Sequence, residues 1–264
     1  MGKKEIYYYG KDLFMRNNKL IFLTLFVLTV VLVSGCTSPS SPLLPGSPGE
    51  PQAPGNGKTG TITGTVVDRD SGLKLWSGTV EIAGVGEANI KDGTFTLENV
   101  PYGTYTLNIS KQFYNTHSLK VVLNKDVVTV DIKMQTSFSS AEVDLLARLV
   151  HAEAKGESYK GQVAVAATVL NRVLHRDYPN TLSGVINQVI VANGKRYYQY
   201  EPVLNGTIKQ PAGQNAIAAV QDALAGWDPS LGATGFFAPA KVGSSSWVRT
   251  RPVTVNIGNH RFFK

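Results

Sequence analysis

The chain has 264 residues, a length typical of one or two domains. Hydrophobic residues make up 42% and charged residues 17%, a composition that excludes a wholly disordered chain. The single cysteine, Cys36, excludes an intramolecular disulfide and a metal site built from several cysteines. The net charge of +7 favours an anionic partner, but residues 139–264 contain no run of Lys and Arg, so we predict no nucleic-acid partner.

The N-terminus predicts export from the cytoplasm. Residues 20–33 carry no charge and follow several basic residues. A bilayer-spanning helix needs about 20 apolar residues, so this shorter run is typical of a signal peptide. It ends in a motif that resembles a bacterial lipobox, Val33-Ser34-Gly35-Cys36. The resemblance implies a lipoprotein signal peptide at 1–35 and an acylated Cys36 that anchors the chain to the outer face of the cytoplasmic membrane, facing the cell wall. The alternative is an uncleaved membrane anchor with an incidental cysteine.

Two segments of different composition follow the signal peptide. Residues 36–58 are rich in Pro, Ser and Gly, which predicts an extended linker. Residues 59–135 alternate apolar and polar side chains between turn signals, which predicts about seven strands in an antiparallel sandwich. The segment resembles the carboxypeptidase regulatory-like (transthyretin-like) β-sandwich family in GTVVD (64–68), DGTFTL (92–97) and VPYGTY (100–105). That resemblance implies a fold, and a spacer or docking role.

The first helix of the C-terminal segment places an acid on an apolar face. Ser139 and Glu142 form a capping-box pattern. The apolar stripe of the helix includes Leu146 and Leu149, and Glu153 occupies the next position of the same period. Burial there would raise the pKa of Glu153 and suit it to general acid catalysis near neutral pH. The alternative is an acid near a helix end that reaches solvent.

The remaining segments predict helices first and strands last. Residues 162–176 are apolar almost all round, which predicts a central helix. We expect a third helix from Thr181 to about Ala192 and a fourth over 211–225. Residues 234–238 and 252–263 are expected to form strands.

Residues 139–264 are similar to the SleB-type cell-wall hydrolase family, which is named for spore-cortex-lytic enzymes. The matching segments, in chain order, are ARLVHAEAKGE (147–157), GQVAVAA (161–167), VLNRV (169–173), QY (199–200), AVQDALAGWDP (219–229) and IGNHRF (257–262). The ordered set, rather than any one segment, carries the resemblance. The expected fold is therefore multi-domain, with a β-sandwich (transthyretin-like) followed by an α+β lysozyme-like catalytic domain.

The resemblance implies an activity and a set of site residues. The activity is that of a lytic transglycosylase, which needs no cofactor or metal and cleaves the bond between N-acetylmuramic acid and N-acetylglucosamine in bacterial peptidoglycan. The 6-hydroxyl of the muramic acid attacks and leaves a 1,6-anhydro end. Glu153 matches the catalytic glutamate of the family. The positions matched to substrate binding are Glu157, Gln199, Tyr200, Phe237 and His260. Ala238 departs from the family, which usually has an asparagine there.

Three other functions remain open at this stage. A zinc-dependent muramoyl-alanine amidase would need about three metal ligands, and the histidines show no suitable spacing. A lysozyme-type hydrolase would need a second carboxylate, for which Glu157, Asp177, Glu201, Asp222 and Asp228 are candidates. A surface lipoprotein could also bind glycan without cutting it. The change of sequence period near residue 136 further predicts separately folding units, so that residues 137–264 alone would fold and cut peptidoglycan.

Overall fold

The computed structural model describes residues 57–264. The predicted signal peptide, the lipobox and nearly all of the predicted linker lie outside the described residues. Within 57–264, no helix combines the length and the apolar character needed to cross a bilayer.

Seven strands occupy the N-terminal part of the described chain. Their bounds are β1 Thr59–Asp68, β2 Ser77–Ile82, β3 Gly86–Lys91, β4 Thr94–Pro101, β5 Gly103–Ser110, β6 His117–Leu123 and β7 Val127–Met134. Burial alternates along β1, where Ile62 and Val66 are buried and Thr61 and Thr65 are not. One face therefore supplies a core, as the alternating sequence predicted.

The seven strands form one sheet in the order β6-β5-β2-β3-β4-β1-β7. Laid flat, such a sheet would hold its edge strands about 29 Å apart. Only residues 124–126 connect β6 to β7, and they reach at most about 14 Å. The sheet must therefore curl until its two edges approach each other, and β6 and β7 are in contact. In the closed sheet β7 pairs with β1 in parallel, although the rest of the sheet is antiparallel. The sequence did not predict this parallel pair.

The C-terminal part is mainly helical. Its elements are α1 Ser140–Ala154, α2 Tyr159–Leu174, α3 Leu182–Ile186, β8 Val189–Ala192, β9 Lys195–Tyr198, α4 Glu201–Asn205, α5 Gln214–Ala225, β10 Gly235–Phe237, β11 Val253–Ile257 and β12 His260–Phe263. The predicted capping box at Ser139 and Glu142 is confirmed. The second helix, α2, lies at the centre, since eleven of its residues are buried. The predicted C-terminal strands form the sheet β10-β12-β11.

The predicted third helix is wrong over its second half. Thr181 caps α3 as expected, but the helix ends at Ile186 and the chain continues as the hairpin β8-β9. Asn193 and Gly194 form its turn with φ values of 51° and 72°. Positive φ at both positions is the type I′ hairpin turn, and Asn-Gly adopts it at low cost. Val189 and Val191 are β-branched and favour the extended chain.

The sheet and the helical part pack against each other. Ala225, the last residue of α5, is fully buried within the core of the sheet. The backbone N–H of Trp76 donates to the carbonyl of Ala225 at 2.9 Å. Near the start of α1, the ring of Phe113 stacks on that of Phe138 with centroids 5.4 Å apart. The two parts belong to one compact unit, and we call this contact the joint.

The joint makes the stability of the helical part depend on the sheet. A fragment of residues 137–264 retains its own core and should fold, but it exposes Ala225 and Phe138 and loses the hydrogen bond from Trp76. One such bond contributes about 1 kcal/mol. We therefore expect the fragment to melt at least about 3 °C below residues 57–264 in calorimetry. Equal melting temperatures would show that the joint contributes no stability.

Candidate active site

Glu153 lies in the last turn of α1, on the stripe that the sequence predicted. Leu146, Leu149 and Val150 on the same face are fully buried. The Oε1 atom of Glu153 is also buried, and it has no hydrogen-bond partner among the described residues. The residue as a whole is half-buried, because its other side borders a cleft.

The surroundings of Glu153 bring its pKa close to neutral. Burial raises the pKa to about 7, and the negative charge of Glu201 acts in the same direction. The positive charges of Arg172 and Lys241 oppose this rise. Near pH 7 the carboxyl group can therefore both donate and accept a proton.

The cleft in front of Glu153 has a volume of about 340 Å³, which is within the range of small-molecule sites. The end of α1 forms one wall, and α4 and the 3₁₀ turn Thr207–Lys209 form the other. The lining residues are His151, Ala152, Glu153, Lys155, Glu201, Pro202, Asn205, Thr207, Gln210 and Lys241. Most carry groups that can form hydrogen bonds, so the cleft suits a ligand with many hydroxyl and amide groups.

A buried arginine lies close enough to Glu153 to influence its charge. Arg172 projects from the end of α2, and its guanidinium carbon lies 5.0 Å from the ring centroid of Tyr178 and 5.1 Å from that of Tyr200. Its Nε donates to the carbonyl of Thr234. Aromatic faces and a carbonyl stabilise the buried cation only in part, since Nη1 has no partner among the described residues. The positive charge of Arg172 thus stays available to the carboxyl group of Glu153.

Glu157 ties the start of α2 to the turn between β11 and β12. Its carboxylate accepts hydrogen bonds from the backbone N–H of Asn259 at 2.9 Å and from the side chain of Asn259 at 3.0 Å. Burial alone would raise the pKa of Glu157, but these two bonds and the nearby His260 and Lys241 lower it overall. Gly258 has a φ of 56°, and a Cβ atom there would crowd Glu157 Oε2, so glycine favours this contact. In this structure Glu157 therefore holds a turn.

The other residues matched to substrate binding do not line the cleft. Gln199 and Tyr200 are both buried, and Tyr200 packs on Arg172 behind Glu153. Phe237 packs with Val248 and Phe263 in a separate small core. Their roles in substrate binding stay predictions.

His260 is half-buried beside Phe236, with ring centroids 5.2 Å apart. Burial lowers its pKa despite the opposing charge of Glu157. Its role in substrate binding also stays a prediction. Within residues 57–264, no group of three or more His, Cys, Asp or Glu side chains is placed to hold a metal ion.

Comparisons with known proteins define the family. The family described as cell wall hydrolase matches residues 156–263, a range that begins just after Glu153. Cell wall hydrolase CwlJ of Oceanobacillus iheyensis is 32% identical over 113 residues, which cover 41% of this chain and 77% of that protein. The chain therefore belongs to the cell wall hydrolase family.

Other relatives carry more specific descriptions. The spore cortex-lytic enzyme of Bacillus cereus is 38% identical over 141 residues, which cover 53% of this chain and 51% of that protein. That of Bacillus subtilis is 38% identical over 133 residues, 50% of this chain and 41% of that protein. The chain thus spans about half the length, or less, of these curated relatives. A solved structure described as the catalytic domain of a germination-specific lytic transglycosylase from Bacillus anthracis is 39% identical, with 48% of this chain and 98% of that one covered and a TM-score of 0.42.

Three charged residues of the site had no role in the sequence prediction or only a minor one. Glu201 was named only as one of several possible second acids, although Glu201-Pro202 is typical of a helix start and would have placed it beside Gln199 and Tyr200. Arg172 lies in an apolar helix and Lys241 in a loop, and neither carries a local signal. Only the fold brings them near Glu153.

The charge of Glu201 should be measurable in the titration of Glu153. Replacing Glu201 with Gln removes a negative charge, so ionisation of Glu153 becomes easier and its pKa should fall below about 7. Carboxyl-carbon NMR titration of Glu153 would measure the midpoint. Asp144→Asn on the outer face of α1 is the matched control and should leave it in place, because Asp144 is paired with Arg148 on the surface. An unchanged midpoint in Glu201→Gln would contradict the assigned cause.

Proposed function

We propose that this chain is a peptidoglycan lytic transglycosylase that cleaves the bond between N-acetylmuramic acid and N-acetylglucosamine. The observation that carries the proposal is the Glu153 carboxyl group, which has one buried oxygen, a pKa of about 7 and an open polar cleft before it. A single carboxyl group in such surroundings can serve as acid and then as base.

The names of the relatives support the substrate. They are described as spore cortex-lytic enzymes and as a cell wall hydrolase. The match to the cell wall hydrolase family covers residues 156–263, which include Glu201, Asn205 and Lys241 of the cleft lining. We extend the substrate class, bacterial peptidoglycan, from these proteins to this chain.

The proposed reaction uses Glu153 twice. Protonated Glu153 donates its proton to the glycosidic oxygen as the bond from muramic C1 to that oxygen breaks. The resulting carboxylate takes the proton of the muramic 6-hydroxyl, whose oxygen bonds to C1 and closes the 1,6-anhydro ring. Glu153 ends protonated, and no water is consumed. Because the first step needs the protonated acid, the rate should fall as the pH rises above about 7.

Replacing Glu153 with Gln tests the site. The amide keeps the shape of the side chain but cannot donate the proton, so turnover of purified peptidoglycan should fall about 100- to 10,000-fold while binding persists. Mass spectrometry of released muropeptides would measure both the loss and the products. The wild type should release 1,6-anhydromuramic ends.

Glu157→Gln is the matched control, because it lies four residues away and holds the β11–β12 turn. It should lower the melting temperature, and it should lower turnover much less than Glu153→Gln does. Near-normal turnover in Glu153→Gln would refute the assignment of the catalytic acid. Glu201, the other carboxyl group of the cleft, would then become the candidate.

A lysozyme-type hydrolase is the second candidate, and the position of Glu201 favours it. Glu201 borders the same cleft as Glu153 and raises its pKa, so two carboxyl groups face one substrate space. A second carboxylate can act as a nucleophile or can activate water. The same muropeptide spectra separate the two reactions, because this one would release reducing muramic ends.

We propose that the chain is a lipoprotein anchored through Cys36, on the basis of the short apolar run and the lipobox-like motif. Two or more acyl chains would anchor it stably to a membrane. Cys36→Ala should abolish incorporation of a labelled fatty acid. Labelling that persists in this variant would contradict the proposal.

We also propose that the sheet belongs to the carboxypeptidase regulatory-like (transthyretin-like) family and acts as a spacer between the anchor and the hydrolase part. Its motifs support the family. Its position between the linker and α1 supports the role.

A further inference from the structure

Three aromatic rings form a row where the sheet meets the helical part. Trp76 precedes β2, Trp227 follows α5, and Tyr159 is the first residue of α2. The centroids of Trp76 and Trp227 are 6.1 Å apart with planes inclined by 11°, and those of Trp227 and Tyr159 are also 6.1 Å apart. We call these three residues the aromatic track.

The track is held in place by its surroundings. The backbone of Trp76 donates to Ala225, which is buried in the core of the sheet. The hydroxyl of Tyr159 donates to the carboxylate of Asp222 on α5. Gly226 allows the close approach of the two tryptophans, since a Cβ atom there would lie 3.1 Å from Trp76 Cβ. The rings are therefore preorganised, and a ligand would not have to order them.

If these rings served only to pack the joint, they would be buried, but two of them are exposed. Trp76 is 49% exposed and Tyr159 is 37% exposed, so both ends of the row face solvent. Leu75, the residue before Trp76, is fully buried in the core of the sheet. The chain thus turns a leucine inward and a tryptophan outward at adjacent positions. Exposed aromatic clusters of this kind mark interaction surfaces.

The chemistry of the track fits a carbohydrate. The face of an indole or phenol ring is electron-rich, and the C–H groups on one face of a pyranose are apolar and weakly positive, so the two pack together. Polar partners for sugar hydroxyl and acetamido groups lie beside the rings. A Cβ atom at Gly226 would be 3.4 Å from Lys111 Nζ and 3.7 Å from Ser77 Oγ, which shows how close both groups are. Trp76 stacks on Trp227, and the plane of Tyr159 is inclined by 43° to that of Trp227, so the exposed rings at the two ends, Trp76 and Tyr159, are the ones on which a sugar ring could pack.

We propose that the aromatic track is a glycan-binding surface that takes sugar rings of a peptidoglycan strand at a place separate from the Glu153 cleft. None of the three aromatic residues lines the cleft. The identity of the glycan rests on the proposed function. Because Trp76 directly precedes β2 of the sheet and Tyr159 lies in the helical part, the surface exists only when both parts are present.

Binding to purified insoluble peptidoglycan tests the proposal. The protein contains all of residues 57–264 and carries Glu153→Gln, so that no strand is cut during the measurement. Trp76→Leu and Tyr159→Leu keep apolar bulk but lose the aromatic face. Each should raise the dissociation constant roughly threefold to tenfold. Trp76→Phe should bind nearly as well as the parent. Val122→Ala, at a residue of β6 that is 53% exposed, is the control and should not alter binding.

The outcomes separate this inference from the proposed function. Ring-dependent binding without muropeptide release by the wild type would uphold the track and refute the transglycosylase. Release by the wild type, together with unchanged binding in both leucine variants, would refute the track. Trp76→Leu could weaken binding by destabilising the joint, whereas Tyr159 lies on α2, so Tyr159→Leu tests the aromatic face separately. The melting temperature of each variant is measured alongside. Weaker binding in Val122→Ala to the same degree would also overturn the proposal, because the effect would then not depend on aromatic faces.

Discussion

The desolvation of one carboxyl group, that of Glu153, is the constraint on which the site depends. An ion moved from water into a protein interior loses solvation, and the protein must supply compensating charge or accept a neutral acid. This protein supplies some compensating charge to Glu153 and also tolerates its neutral form. Arg172 and Lys241 favour the ionised form, whereas burial and Glu201 favour the protonated form. The pKa rises to about 7 because burial, with the smaller effect of Glu201, outweighs the two positive charges. A direct ion pair with Arg172 would have lowered the pKa and removed the proton that a general acid needs.

The fold holds that balance by fixing the charges on separate elements. Glu153 comes from α1, Arg172 from the buried helix α2, and Glu201 from the first residue of α4. Burial of most of α2, including Arg172 itself, leaves Arg172 little freedom, and two tyrosine rings and the carbonyl of Thr234 hold its guanidinium in place. In the same region Glu157 fastens the β11–β12 turn to the start of α2. The acidic residue that is ionised and hydrogen-bonded thus has a structural role, while the one that is poorly solvated faces the cleft.

Features that depend on neighbouring residues could be predicted from the sequence. The stripe on α1 and the position of Glu153 follow from a period of 3.6 residues, the capping box at Ser139 from a spacing of three residues to Glu142, and the burial of α2 from its apolar composition. The hairpin β8-β9 was also within reach, because Asn193-Gly194 between β-branched and aromatic residues is a strong turn signal, and the helical period was preferred over it in error. The charges around Glu153 were not predictable in this way. Arg172 and Lys241 approach it only through tertiary contacts, and so do the parallel pairing of β7 with β1 and the burial of Ala225 in the sheet.

The joint fixes the position of the aromatic track relative to the cleft, and this matters for the polymer on which we propose the chain acts. A cleft of about 340 Å³ holds only a short stretch of a glycan strand, so most of the strand lies outside it. A second weak contact on the same strand would raise the effective concentration of sugars at the cleft, but only where the distance between the two surfaces is fixed or well matched. A flexible connection would not fix that distance, whereas Ala225 in the core of the sheet and the bond from Trp76 to its carbonyl do. On this argument the sheet contributes more than length, because it supplies one end of a binding surface and the rigidity that makes the surface useful.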